Sequence, residues 1–499
     1  MIPARGFEEQ TVAVFGLGRS GLTAARALKA GGAFPALWDD SVSGRMQAEA
    51  EGFDLVDLST ADWRGIDALV LSPGVPLTHP RPHWTVEKAQ ASKTPIVGDL
   101  ELFARAIDAL PEARRPKVVA VTGTNGKSTT TALIGWVLKQ AGLTVHVGGN
   151  IGIGVLALPE PTPDAVYVIE VSSYQLDLTT SFEPDVAILT NMSPDHLDRH
   201  GGMRGYVAAK RRLFCPVLGD NRSGRLEAII GMDDVWSADI AVDVYRAGIP
   251  TRYVHFAPFT GKGEPPWASD LRVWEPEEFW SQQYYAPWSE VDEKGLEAGL
   301  GYFRSAEGLR IDLTAARSLP GRHNAQNAAF AYAAATALGV GHDQAVAGLM
   351  TFPGLAHRME TVAQTERVRF VNDSKATNAD AARQALSSYE RVFWIAGGRA
   401  KDGGIDSLGD LFGRIESAFL IGEAGEDFAR VLTSVPHVVC GDMDKAVEMA
   451  ARAAAATGRD EIVLLSPACA SFDQYPDFEA RGEAFRAAVR RVIDEGVVP

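Results

Sequence analysis

Ala120-Val121-Thr122-Gly123-Thr124-Asn125-Gly126-Lys127-Ser128-Thr129 carries an apolar strand through a glycine-rich turn into a helix start. The apolar run 118–121 precedes the turn, and Leu133, Ile134, Val137 and Leu138 continue it at helical spacing. Free backbone N–H groups in the first helical turn, together with the helix dipole, favour an anion at such a junction. Lys127 can reach β- and γ-phosphates, and the hydroxyl of Ser128 or Thr129 can hold magnesium. A standard phosphate loop has glycine where Val121 stands, so this loop is a variant in which Thr122-Gly123 supplies the turn. Gly123, Thr124, Asn125, Gly126, Lys127, Ser128 and Thr129 are therefore expected to bind a nucleoside triphosphate.

Strand and helix patterns alternate on both sides of the loop. Upstream, apolar runs at 12–15, 36–38 and 68–71 read as a small α/β domain on a parallel sheet, closed by the polar, proline-bearing stretch 110–116. The first domain is placed at 1–112. A central domain, 113–318, continues through buried-looking strands at 165–171 and 186–189. Its segment from about 216 to 316 holds Trp236, Trp267, Trp274, Trp280, Trp288 and the pair Tyr284-Tyr285 among prolines and charges, and reads as an elaborated surface lobe. An aromatic nucleic-acid platform would interleave basic residues there, and few are present. A third domain, 319–499, alternates apolar runs at 368–371, 392–395, 418–421 and 462–465 with helical segments such as 445–456.

The length of 499 residues fits three domains at about 150 residues each. The chain is 46% hydrophobic and 22% charged, as in a globular enzyme, and no run reaches the ~20 apolar residues that span a bilayer. Met1-Ile2-Pro3-Ala4-Arg5 leads into a strand without an apolar signal core, so a cytoplasmic location is expected. Cys215, Cys440 and Cys469 lack metal-ligand spacing and read as buried small hydrophobes. A net charge of −16 argues against nucleic-acid binding, and anionic substrates must rely on local basic groups and helix N-termini.

Gly16-Leu17-Gly18-Arg19-Ser20-Gly21 also follows a strand and precedes a helix, with Asp39-Asp40 about 20 residues on, as in a dinucleotide fingerprint. The motif reports a diphosphate at a helix N-terminus without identifying the nucleotide, and NAD is one alternative. Leu71-Ser72-Pro73-Gly74-Val75 ends the next strand and can face the same ligand. Glu170 closes a strand of the central domain and is a candidate magnesium ligand. Asn191-Met192-Ser193-Pro194-Asp195-His196-Leu197-Asp198 follows the next strand, bringing an imidazole and carboxylates near the phosphate loop. Lys210-Arg211-Arg212, taken by itself, reads as a solvated helix face. In the third domain, the loops 372–378, 397–402 and 466–473 all fall at strand C-termini. Lys375 and Lys401 supply charge there, while Thr377 and Ser471 supply orientation for a carboxylated small molecule.

In this order, and over nearly the whole chain, the motifs resemble the Mur ligases of peptidoglycan synthesis. The shared features are the loop 122–129, Glu170, His196, His323-Asn324 with Asn327, Arg358 and Asp373. The stretches 97–103, 372–378 and 465–474 resemble the D-glutamate-adding branch. The resemblance implies an N-terminal Rossmann-like UDP-binding domain, a central ATPase domain and a C-terminal Rossmann-like domain for the amino acid. It further implies ATP, two magnesium ions, and carbamylation of Lys210, which would turn a cation into an anionic metal ligand beside Ser128, Thr129, Glu170 and His196. Asn327 and Arg358 would meet ATP phosphates and Asp373 the ribose, while Lys375, Thr377, Lys401, Ser471, Phe472 and Phe478 would hold D-glutamate. Gly18, Arg19, Ser20, Asp39, Ser72, Gly74, Asn150, Ser172 and Ser173 would hold UDP-N-acetylmuramoyl-L-alanine. The chain departs from some relatives at Asp40-Ser41, where a basic residue near the uracil is missing, and in the long aromatic segment.

The implied chemistry is amide formation. A substrate carboxylate attacks the γ-phosphate of ATP, the amine of D-glutamate attacks the resulting acyl phosphate, and a tetrahedral intermediate loses phosphate. Lys127, His196 and Lys210 are the expected catalytic groups, His196 orienting or deprotonating a reactant. Domain closure and a monomeric enzyme are expected, with no nucleic-acid or membrane partner. Rival readings are a Mur or folylpolyglutamate-type ligase for another amino acid, and a nucleotide-sensing module that no longer turns over.

Overall fold

The computed structural model describes residues 1–214, 224–256, 296–299, 301–305, 309–400 and 403–498. Lys401, Cys215 and most of the aromatic segment lie outside the described residues. The chain divides into two compact units, one of Met1–Leu313 with Asn324–Thr351, the other of Thr314–His323 with Phe352–Pro499. From Asn324 onward the helix Arg322–Ala337 thus clusters with the first unit, whereas the sequence reading opened the third domain at Leu319.

The first unit is built on two sheets. Four parallel strands, in the order Phe34–Trp38, Thr11–Phe15, Ala68–Leu71 and Ile96–Val97, make the smaller one. The two inner strands, Thr11–Phe15 and Ala68–Leu71, are nearly all buried, as expected for the middle of a parallel sheet covered on both faces, while the edge strand Phe34–Trp38 is only partly so. The larger sheet has nine strands. Lys117–Thr122 lies between Val186–Leu189 and Ala165–Glu170, and Thr144–Gly149 forms the edge beyond. On the other side, Glu227–Gly231, Thr251–Phe256 and Leu296–Gly299 continue in parallel before two antiparallel strands, Tyr302–Ser305 and Arg310–Asp312. A single apolar cluster reaches from Ile2 through Val14, Phe103 and Tyr167 to Tyr253, so both sheets share one core.

Polar joints cross between the two sheets. The Glu101 carboxylate is fully buried and accepts the N–H groups of Thr180 (2.8 Å) and Ser181 (3.0 Å), the Ser181 hydroxyl (2.9 Å) and the Arg105 guanidinium (3.0 Å). Burial works against this charge, but the Thr180 and Ser181 N–H groups outweigh it and hold the carboxyl below its ordinary range.

The second unit carries a six-stranded sheet ordered Glu360–Gln364, Val368–Asn372, Glu461–Leu465, Val392–Gly397, Ile415–Ile421 and His437–Gly441. The first strand pairs antiparallel and the rest run parallel. Apolar clusters line both faces, one around Trp394 and Leu464, the other around Phe370 and Phe485. The α/β class expected from the sequence is the observed one. Among the described residues, no helix is long and apolar enough to cross a membrane.

Candidate active site

Parallel sheets gather functional side chains where strands end, and three neighbouring strand ends define the first site. The register sets Val121 opposite Glu170, with Leu189 beside Thr122. The phosphate loop leaves Thr122 and enters the helix Lys127–Gln140 at Gly126, whose φ of 83° places it in the left-handed region. A Cβ on Gly126 would stand 2.6 Å from Asn327 Oδ1, and one on Gly123 only 1.9 Å from Thr190 Oγ1. Both glycines are therefore required by backbone shape and close approach.

The neighbouring strand end binds the loop in place. Thr190 Oγ1 donates to the Asn125 carbonyl (2.7 Å), the Asn125 N–H donates to Asn191 Oδ1 (2.9 Å), and the Thr124 N–H donates to the Asn191 carbonyl (2.8 Å). Lys127 Nζ folds back on the Thr124 carbonyl at 2.7 Å. Asn327, expected at the nucleotide, is buried against this loop and accepts from Thr130 Oγ1 at 3.2 Å.

Lys210 corrects the solvated-face reading of its charge run. It is 1% exposed, and Nζ donates to the Gly123 carbonyl (2.6 Å) and to Thr122 Oγ1 (3.3 Å). Burial first, then the nearby Lys127 charge, push its pKa well below the ordinary lysine value, against the pull of Asp195 and Glu170. The neutral form of the amine is thus favoured relative to an exposed lysine.

Glu170 is 2% exposed; one oxygen accepts from Asn150 Nδ2 at 2.7 Å, while the other is buried with no hydrogen-bond partner. An unpaired buried carboxylate oxygen needs a cation, and magnesium typically takes one or two carboxylates plus phosphate oxygens, so the donor set fits. Among the described residues no cluster of three or more His, Cys, Asp and Glu has metal-holding geometry. His196 is exposed, has a left-handed φ of 54°, and lies 3.3 Å from Asp195 and 4.8 Å from the Tyr174 ring centre.

A cleft of about 430 Å³ opens beside this site within the same unit. Gly18, Arg19, Ser20, Ser72, Gly74 and Asn150 line it. The Asp39 carboxylate accepts the Leu17 and Ser41 N–H groups and braces the glycine turn. Ser172 caps the helix Ser173–Asp177 in a reciprocal pair with Gln175, and Ser173 Oγ lies 3.0 Å from His200 Nε2. Gln175 itself lines the cleft, a residue the sequence reading missed. The capping pattern Ser172-x-x-Gln175 was the available signal.

The second unit collects its own polar loops. Asp373 accepts from Ser466 Oγ (3.0 Å) and the Met359 N–H (3.2 Å), and burial pushes its carboxyl up to about 7 despite the Arg358 charge. Lys375 Nζ stands 3.9 Å over the Phe478 ring, which joins two expected amino-acid ligands. Ser374 bridges the same loops, giving its hydroxyl proton to the Phe478 carbonyl (2.8 Å) and accepting from Arg481 Nε (3.0 Å). Thr377 is half-buried, Ser471 is buried, and Phe472 is 65% exposed.

The family model for the Mur ligase middle domain matches residues 121–335, and that for the Mur ligase, glutamate ligase domain matches 357–469. The chain is similar to the UDP-N-acetylmuramoylalanine–D-glutamate ligase of Caulobacter vibrioides, 56% identical over 501 residues covering 99% of each chain. The protein of that name from Nitrobacter hamburgensis is 47% identical over 501 residues, covering 100% of each chain. The fold is shared with MurF ligase from Thermotoga maritima, solved in complex with ADP, at a TM-score of 0.56 and 15% identity over 99% of this chain and 98% of that chain. UDP-N-acetylmuramate-alanine ligase MurC from Thermotoga maritima gives a TM-score of 0.54 and 16% identity over 97% and 99%.

Proposed function

The chain belongs to the Mur ligase family, and we propose that it joins D-glutamate to UDP-N-acetylmuramoyl-L-alanine, converting ATP to ADP and phosphate, in peptidoglycan precursor synthesis. The observation that carries this reading is full-length likeness to ligases of that name, joined to a phosphate loop that keeps Lys127, Glu170 and Lys210 around one strand end. Functionally the chain is read as 1–112 for the UDP moiety, 113–318 for ATP and 319–499 for the amino acid.

The cleft lined by Gly18, Arg19, Ser20, Ser72 and Gly74 takes the diphosphate, and Asn150 reaches toward the muramoyl-alanine part. Loop N–H groups and Lys127 cradle the ATP phosphates, with Asn327 beside them; Arg358 and Asp373 are the further residues read as nucleotide contacts. The substrate carboxylate oxygen bonds to the γ-phosphorus, and ADP leaves. The amine of D-glutamate, held by Lys375, Thr377, Lys401, Ser471, Phe472 and Phe478, then bonds to the carbonyl carbon, and phosphate leaves as the amide forms. Lys127 stabilises negative charge as it builds on the transferring group, and His196 orients a reactant or takes the amine proton. Ser128, Thr129, Glu170, His196 and a carbamylated Lys210 would hold two magnesium ions, which offset phosphate charge when bound. The neutral amine favoured by burial at Lys210 supports the carbamate.

The test is phosphate release from ATP in the presence of UDP-N-acetylmuramoyl-L-alanine, adding one candidate amino acid at a time. Stimulation by D-glutamate alone is expected; stimulation by another amino acid instead would overturn the assignment.

A further inference from the structure

Arg199 sits on the four-residue helix Leu197–His200, directly after His196, yet its guanidinium leaves the phosphate loop altogether. It donates to three consecutive carbonyls of the cleft turn: Gly74 (2.7 Å), Val75 (3.0 Å) and Pro73 (3.3 Å). It also lies 4.7 Å over the Tyr174 ring. One cation thereby offsets the partial negative charge of three carbonyls beside a cleft read as binding a diphosphate.

The same short helix is tied to the catalytic side by its other residues. His200, buried, sets Nε2 3.0 Å from Ser173 Oγ and Nδ1 3.0 Å from Asp177 Oδ2, on the helix whose Gln175 lines the cleft. Its ring is 5.5 Å from that of Tyr206, whose hydroxyl is 3.0 Å from Thr124 Oγ1 in the phosphate loop. Tyr174 lies between, its ring centre 4.8 Å from that of His196. Packed rings and charge-assisted hydrogen bonds thus run without a gap from the turn 72–75 to the loop 122–129.

We propose that Arg199 is a positioning residue that couples occupancy of the UDP cleft to nucleotide binding at the phosphate loop. Filling the cleft fixes the turn, the turn fixes Arg199, and Arg199 fixes the helix that follows His196. The non-reacting UDP part of the substrate then contributes to phosphoryl transfer, a known use of remote binding energy. The proposal rests on the reading of the cleft as the UDP site.

Calorimetry with ADP and magnesium, without and with saturating UDP-N-acetylmuramoyl-L-alanine, tests it. In the wild-type chain the second ligand is expected to tighten ADP binding by about tenfold, within the usual range of coupling. In Arg199→Lys, which keeps the charge but not the three-way fork, the ratio is expected to fall below about twofold while ADP alone binds as before. Arg199→Gln gives a second measurement if one variant folds poorly. A residue with a merely structural role would lower Tm and leave the ratio intact, and an unchanged ratio overturns the proposal, as does its absence from the wild-type chain. Failure of the UDP compound to bind wild-type protein at all is a different result, which sinks the cleft reading and the coupling with it.

Discussion

Lys210 and Asp373 are two ionisable groups buried beyond the reach of water, and each ties stability to pH in its own direction. Lys210 has a folded-state pKa well below its unfolded value, so between the two the unfolded chain binds the extra proton and stability rises with pH. In bicarbonate-free buffer, Lys210→Met should therefore unfold at a higher temperature than wild type at pH 7, with the difference closing toward pH 10.5. Its ligase activity should nonetheless fall on the order of 10²-fold or more. Thermal unfolding and phosphate release on the same samples check both. For Asp373 the shift is upward, to about 7, so the folded state keeps the proton longer and stability is lost as pH rises from the ordinary carboxylate range through about 7. If the ionised form accepts a ribose hydroxyl, KM for ATP should drop about threefold to tenfold between pH 6 and 8, and Asp373→Asn should flatten that profile. The charge run 210–212 concealed Lys210 because its two other members are half-buried arginines held by carboxylates and a carbonyl, so composition alone does not tell the three apart. The spacing nevertheless held a clue: Lys210 is four residues after Tyr206 and three after Val207, both buried on the helix Met203–Arg211.

At the scale of elements, the phosphate loop was legible because its chemistry is local. Strand, turn and helix are contiguous in the chain, and glycine spacing alone fixes the backbone. Gly126→Ala should cost on the order of 1–2 kcal/mol for the left-handed φ alone, and contact with Asn327 adds to it. Gly123→Ala, whose Cβ meets Thr190 Oγ1, should be worse, with ATP binding lost before the fold is; calorimetric titration beside a melting curve separates the two. What could not be read are partners far apart in sequence. Nothing local tells that Arg199 reaches the carbonyls of 73–75, or that Asp39 braces its own glycine turn. Asp39 matches the ribose position of a fingerprint by spacing, while its bonds to the Leu17 and Ser41 N–H groups could not be read from spacing.

Across the whole molecule, the proposed D-glutamate contacts lie in the second unit and the phosphate loop in the first, so the two half-reactions are expected to be separable by substitution. Lys375→Ala should raise KM for D-glutamate more than about tenfold, by loss of a charge-assisted contact. Acyl phosphate made from ATP and UDP-N-acetylmuramoyl-L-alanine, trapped with hydroxylamine, should still form. The alternation of strands and helices was readable because apolar runs mark strands. The sharing of one apolar core by the first two sheets was not, since the proline-bearing stretch 110–116 looks like a clean break in composition. Glu101 shows what that break hides. Most of the donors to its buried carboxylate come from Thr180 and Ser181, beyond the apparent boundary. A gene fragment ending near residue 112 would lose the Thr180 and Ser181 donors of Glu101 and bare the apolar surface that the second sheet covers, so such a fragment is expected to aggregate where the longer chain does not.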